Sequence, residues 1–267
     1  MKLRMIEKKH RQQYTITLIN TPATPLQFHY QTYNPLDNIT ATYTRKTNWK
    51  EKTLHGKHLN QLMQPHIDHK ASNTWLRKGN IYYETEGFMV AIQDQVIKTR
   101  YYSKLIIKDP NTSTDKCRLC KQQIETIDHI ITGCTTLANT EYTRRHNNIA
   151  KIIHQQLSKH HKFTEHTYTQ KKLTKLIEIS VPNTVYIQKE TGEKIEKYIQ
   201  LAEEIKDMWH QDRVKVVPIM LSATGVIPHN LHKCIETLEL HRNIYIQLQK
   251  SIIIDTCSIT RKFLNAQ

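Results

Sequence analysis

Glycine is scarce in this chain, at 6 of 267 residues. Neither G-x-G-x-x-G nor G-x-x-x-x-G-K-[ST] occurs, which argues against the phosphate cradles of dinucleotide and nucleotide folds. Long apolar runs are missing too, and none approaches the ~18 residues a membrane helix needs. Met1 to Asn20 is basic and has no apolar core of the signal-peptide kind. There are only 5 cysteines, and with no export signal they point to a reducing compartment, not a disulfide framework. The polar composition stops short of wholesale disorder, because 13 Tyr, 3 Trp and many Ile can build a core.

Positive charge is abundant. With 39 Lys and Arg against 24 Asp and Glu, the formal net charge is +15, with 16 His in reserve. Such a chain suits a polyanion, because each neutralised phosphate releases counterions. Residues 140–175 concentrate the charge, with 8 Lys and Arg, 2 Glu and 5 His. A solvated basic face is the plainer explanation of that stretch. A membrane surface is the weaker partner, since the basic stretches do not coincide with a strongly apolar helix face.

Residues 1–45 are polar, Thr-rich and interrupted by Pro22, Pro25 and Pro35, which reads as an irregular segment. Residues 46–115 read as a helical connector. One helix is expected over Trp49–Met63 and another from Glu84 to about Ile107, with Phe88, Ala91, Ile92, Val96 and Leu105 at three-to-four spacing. Residues 116–160 hold a cysteine cluster and a following helix, whose Ile149, Ile152, Ile153 and Leu157 share a face. From 163 to 267 the order is β-α-β-α. It comprises a strand over Leu173–Val181, an amphipathic helix over 190–209, a buried strand over Val214–Leu221 and two C-terminal helices. Ile195, Tyr198, Ile199, Ala202, Ile205, Met208 and Trp209 form the expected inward face of the first of these helices. The fold class is therefore mixed α+β: a helical connector, a small metal knuckle and a small α/β domain.

The sharpest local signal is Cys117-x2-Cys120-x8-His129-x4-Cys134. Zinc takes four thiolate or imidazole ligands in a tetrahedron, and a C-x-x-C pair puts two thiolates on one tight turn. The neighbours Arg118, Lys121, Gln122 and Gln123 are polar, so these cysteines have little reason to be core residues. All four positions are filled by protein, which makes the expected Zn2+ structural. Cys234 and Cys257 sit in apolar helical contexts and read as packing residues.

The chain from about residue 45 onward resembles the C-terminal region of non-long-terminal-repeat retrotransposon polyproteins that carry a restriction-like endonuclease. The resemblance rests on Trp49-Lys50-Glu51-Lys52-Thr53-Leu54-His55-Gly56, Trp75-Leu76, Thr85-Glu86-Gly87, Gln93-Asp94-Gln95 and Thr99-Arg100-Tyr101. It continues through the cysteine cluster with Glu125-Thr126 and Asp128-His129-Ile130, then Tyr142 and Arg145-His146-Asn147. It ends with Leu176-Ile177-Glu178-Ile179, Val181-Pro182-Asn183, Lys189-Glu190, the stretch Glu193–Tyr198, Met208-Trp209, Val217-Pro218-Ile219 and Gly225.

The resemblance implies a thumb-side connector, a CCHC knuckle and a truncated α/β nuclease domain without the polymerase fingers and palm. No Asp-Asp dipeptide is present, so this stretch carries no polymerase site of that family's kind. In such nucleases two carboxylates hold Mg2+ and a lysine helps position water. Glu178 matches the strand acid. Lys194 or Lys197 matches the helix lysine, with Lys194 preferred and Tyr198 beside it one turn on. The first acid, in the family a Pro-Asp, has no counterpart, because no Pro-Asp occurs; Glu165 is the nearest substitute. The plainer readings are a strand-end acid at Glu178 paired with Lys175 or Lys194, and a solvated face at Lys194 and Lys197 balanced by Glu190, Glu193 and Glu196.

The implied partner is DNA or RNA, with Arg118, Arg144, Arg145, His146 and Arg100 as candidate contacts. The implied location is nuclear, since chromosomal DNA is the family's target, and otherwise cytoplasmic. A non-enzymatic zinc-knuckle protein that binds RNA or DNA is the alternative.

Overall fold

A computed structural model describes residues 35–161 and 173–266; Glu165 lies outside the described residues. Two units separate between Lys52 and Thr53. In the first, the described residues form helix α1 (Pro35–Lys50), in which Thr44 and Thr47 hydroxyls donate to carbonyls four residues back. Pro35 opens this helix instead of breaking an extended chain, because a ring-locked φ suits the first helical position. The helix expected over Trp49–Met63 is thus two pieces, with turns between Glu51 and Gly56.

The second unit starts with the short helices α2 (Lys57–Leu62), α3 (His69–Ser72) and α4 (Trp75–Lys78), followed by α5 (Tyr83–Gln93). Asp68 caps α3 by accepting from the Ala71 N–H at 2.8 Å. The helix expected to continue to Ile107 stops at Gln93. The chain turns through Gln95 at φ 59° and re-forms a single π-helical turn at Tyr102–Ile107. Val96 and Leu105, read as inward, are consequently exposed, while Met89 and Ile92 enter the core beside Trp75.

After the cysteine cluster comes α6 (Thr143–His161), which buries Ile149 and Ile153 as its period requires. Strand β1 (Leu173–Ser180), helix α7 (Ile187–Met208) and strand β2 (Arg213–Met220) form a β-α-β unit. The two strands pair in parallel with Glu178 opposite Pro218. Helices α8 (Asn230–Thr237) and α9 (Ile244–Asn265) follow. The described residues are thus mostly helical with one small parallel sheet. Cys234 and Cys257 are buried, and the Cys234 thiol donates to the Pro218 carbonyl at 3.2 Å.

Helix α9 organises this unit. Ile252, Ile253, Ile259 and Phe263 are buried, and the helix lies against α4, α5 and α6. Between β2 and α8, Gly225 takes φ +81°, which closes the turn that returns the Val226 carbonyl to the Ser222 N–H.

Helix α7 departs most from expectation. Only Ile187 is buried; Tyr198, Ala202 and Ile205 are half-buried, whereas Ile195, Ile199, Met208 and Trp209 are exposed. A two-stranded sheet is too narrow to cover the whole apolar stripe that the sequence draws on this helix. Among the described residues, no helix is long and apolar enough to cross a membrane.

Candidate functional site

The cysteine cluster folds around a short reversed segment. Lys116 pairs antiparallel with Ile124, the Cys117 N–H donates to the Gln123 carbonyl at 2.8 Å, and Lys121 takes φ 58° to close the turn. Cys117 and Cys120 therefore face the same side. His129 opens a π-helical turn over His129–Gly133, and Cys134 follows it.

The ligand atoms of Cys117, Cys120, His129 and Cys134 all lie within 4.8 Å of one another. The Sγ atoms of Cys117 and Cys134 are 3.9 Å apart, and Cys120 Sγ is 3.3 Å from His129 Nε2. A tetrahedron with Zn–S of ~2.3 Å and Zn–N of ~2.0 Å has edges of about 3.8 Å and about 3.5 Å. The four donors therefore fit a zinc ion, which would hold the turn and the helix together without an open coordination position.

The surroundings suit the metal-binding forms. His129 Nδ1 is 3.1 Å from Gln123 Oε1, so an Nδ1–H donated to that oxygen leaves Nε2 as the ligand atom. Burial lowers the His129 pKa, which keeps the ring neutral. Burial pushes the Cys117 thiol up to about 11. At Cys120 burial acts upward, but the N–H groups of Gln123 and Gln122 together with the Cys117 and Cys134 side chains bring the thiol below its ordinary value. The Cys134 N–H donates to the Tyr142 hydroxyl at 3.1 Å, and that hydroxyl donates to the Ile130 carbonyl at 2.7 Å.

The candidate arginines are largely engaged inside the protein. Arg118 binds Glu125, which is 0% exposed, and also donates to the Leu264 carbonyl and stacks on Phe263. Glu125 accepts the backbone N–H groups of Arg100 and Arg118 as well. Arg144 lies between Glu141 and Asp255. Arg145 is 2% exposed and donates to Thr256 Oγ1 and the Ile131 carbonyl, so it is a core cation and not a surface contact. The expectation at Arg145 is corrected on that ground, because a phosphate cannot reach it. Arg100 donates to the Lys116 carbonyl, and His146 is exposed beside Asn147.

Glu178 and Lys194, 16 residues apart, meet across β1 and α7 with Nζ 2.5 Å from Oε1. The Glu178 carboxylate raises the Lys194 pKa. Lys175 does not compete for this acid, since it pairs with Glu239. Lys197 instead lies over the Tyr198 ring. Glu190 is held by the Ser180 hydroxyl at 3.2 Å. Among the described residues, the four zinc-type donors are the group of three or more able to hold a metal, and none gathers around Glu178. Glu178 and Glu190 both act on Lys194, and the other candidate acid, Glu165, lies outside the described residues.

Comparison with protein-family models finds no match, and comparison with characterised proteins finds none either.

The supporting residues Gln123, Glu125 and Tyr142 are not among the expected site residues. Gln123 and Glu125 had a usable signal, since each lies inside the cysteine cluster.

Proposed function

We propose that this chain is a zinc-organised nucleic-acid-binding module, derived from the C-terminal part of a non-long-terminal-repeat retrotransposon reverse transcriptase and endonuclease polyprotein. One observation carries the binding reading: a four-donor zinc geometry set in a chain of net charge +15. Zinc would fix the knuckle and, through it, the surrounding helices, while the excess cations supply affinity for phosphates. The family reading rests on the resemblance; Glu178 and Lys194, the residues that the resemblance picks out, are paired across a strand and a helix, as the plainer ion-pair reading also expects. In that family the role is metal-dependent nicking of target DNA, which primes reverse transcription. Here the acid is already paired with the lysine, and the first family acid has no counterpart.

Two assays on the zinc-loaded chain test the proposal. Fluorescence anisotropy with labelled oligonucleotides should show affinity falling roughly tenfold or more between about 50 and about 200 mM salt. A plasmid-nicking assay with Mg2+ or Mn2+ should show no activity that depends on Glu178. Nicking lost in Glu178→Ala would establish a working nuclease instead. Binding that ignores salt would remove the nucleic-acid reading. Nuclear residence, which follows only from the family reading, is tested by imaging a tagged chain.

A further inference from the structure

Arg118, Arg144 and Lys194 face carboxylates, and Arg145 is buried. Half-buried Lys250 and exposed Arg261, on the outer stripe of α9, differ from them. Lys250 donates to the Asn80 carbonyl at 3.0 Å, and Arg261 reaches the Thr85 hydroxyl at 3.4 Å while lying 4.7 Å over the Phe88 ring. Both are held by uncharged partners, so their charge is available to an anion. They are 11 residues apart on one helix, about 16 Å along its axis.

The segment they flank, Asn80–Phe88, carries Tyr82 and Tyr83, which are 82% and 72% exposed. Arg77 and Lys78, both exposed, precede this segment at the end of α4. Gly87 is exposed in the interior of α5, and a Cβ added there would meet nothing within 4 Å. Packing does not require glycine at this position, and its bare backbone leaves room for close approach from outside.

On its other side the α9 stripe borders α6 through a shallow groove whose exposed lining is more apolar than polar. The groove is lined by Asn148, Gln247, Lys250, Ser251, Ile254 and Asp255. Asp255 does not make this groove acidic, because Arg144 and Asn148 bind its two oxygens at 2.9 and 2.8 Å. Glu84 is the exposed acid on the tyrosine side.

We infer that the outer stripe of α9, with Tyr82 and Tyr83 beside it, is the track for a single strand of DNA or RNA. Phosphates would lie along Lys250 and Arg261, and unstacked bases would pack on the tyrosine rings. Proteins that hold single strands combine a basic groove with aromatic faces in this way, since every base offers a π-face while duplex bases are already stacked. The inference rests on the nucleic-acid reading above and adds the surface and the strandedness.

Anisotropy titrations of the whole zinc-loaded chain test it, with single-stranded DNA, single-stranded RNA and a duplex as probes. The variants are Tyr82→Ala/Tyr83→Ala, Tyr82→Trp/Tyr83→Trp and Lys250→Gln/Arg261→Gln. Thermal melting checks that each folds. The alanine pair should weaken single-strand binding about tenfold or more at unchanged salt slope, and the tryptophan pair should retain it. The Lys250→Gln/Arg261→Gln pair should lower the single-strand salt slope by about 1.4. Whichever single strand binds better identifies the natural ligand. Folded variants that bind like wild type, or lose duplex binding equally, overturn this surface and leave the nucleic-acid reading intact. A wild type without salt-sensitive binding overturns both.

Discussion

Asn183 donates from Nδ2 to Asp128 Oδ1 at 2.9 Å, which ties the end of β1 to the residue beside the candidate metal ligand His129. The same Asn183 accepts from the Val185 N–H with Oδ1 at 3.1 Å, and Asp128 is also paired with Lys57. One buried amide thus joins the knuckle, the strand and the start of α7. Asn183→Ala removes both bonds and leaves Asp128 with fewer donors. It should cost about 1–3 kcal/mol, read as a lower denaturant midpoint at unchanged slope. A variant as stable as wild type would show that this junction is slack.

Zinc removal should be felt beyond the knuckle. Cys117, Cys134, Ile130 and Ile131 belong to the same core cluster as Trp75, Ile253 and Phe263. The chain should hold about one zinc per molecule, Co2+ should replace it with a tetrahedral visible spectrum, and a chelator should lower the melting temperature. Cys117→Ser should reduce the bound metal and the stability together. Because thiolates and a neutral imidazole bind the ion, affinity should also fall as pH falls. Full stability after chelation would mean that the thiols pack on their own.

The sequence exposes regular features well. Leu173–Ser180 is legible because Ile177 and Ile179 alternate with Glu178, and the knuckle because four donors follow a metal spacing. It fails where burial depends on partners distant in the chain. Ile195 and Ile199 follow an inward period, yet two strands cannot cover them. Arg145 reads as a surface cation beside Arg144, although its partners Thr256 and Ile131 lie 111 and 14 residues away. Gln93 shows the same effect: its amide donates to the Thr224 carbonyl 131 residues on. Several stretches that carry the family resemblance thus meet one another inside the fold, which gives them a structural role before any binding role.

Arg145 makes that distinction measurable. Burial draws its guanidinium down to about 10, so the group stays cationic at neutral pH with the Tyr142 ring 5.3 Å away. Arg145→Ala removes two buried hydrogen bonds and opens a cavity, which should cost roughly 3 kcal/mol or more. Folded protein at low temperature should keep its salt slope for oligonucleotide binding. A changed slope with unchanged stability would restore Arg145 to the interface.

His58 supplies the pH dependence. Burial, reinforced by the charge of His69, lowers its imidazole to about 4, and its Nδ1 is buried with no hydrogen-bond partner. The unfolded chain titrates this group near 6.5, so between the two values the unfolded state binds the extra proton. Its contribution to stability is therefore complete above about pH 6.5 and falls away as the pH drops toward 4. His58→Gln, which cannot take up that proton, should flatten the loss of stability measured by denaturant titration across this window. A wild type and variant that lose stability in parallel would place the acid sensitivity elsewhere, with the candidate metal ligands as the next group to test.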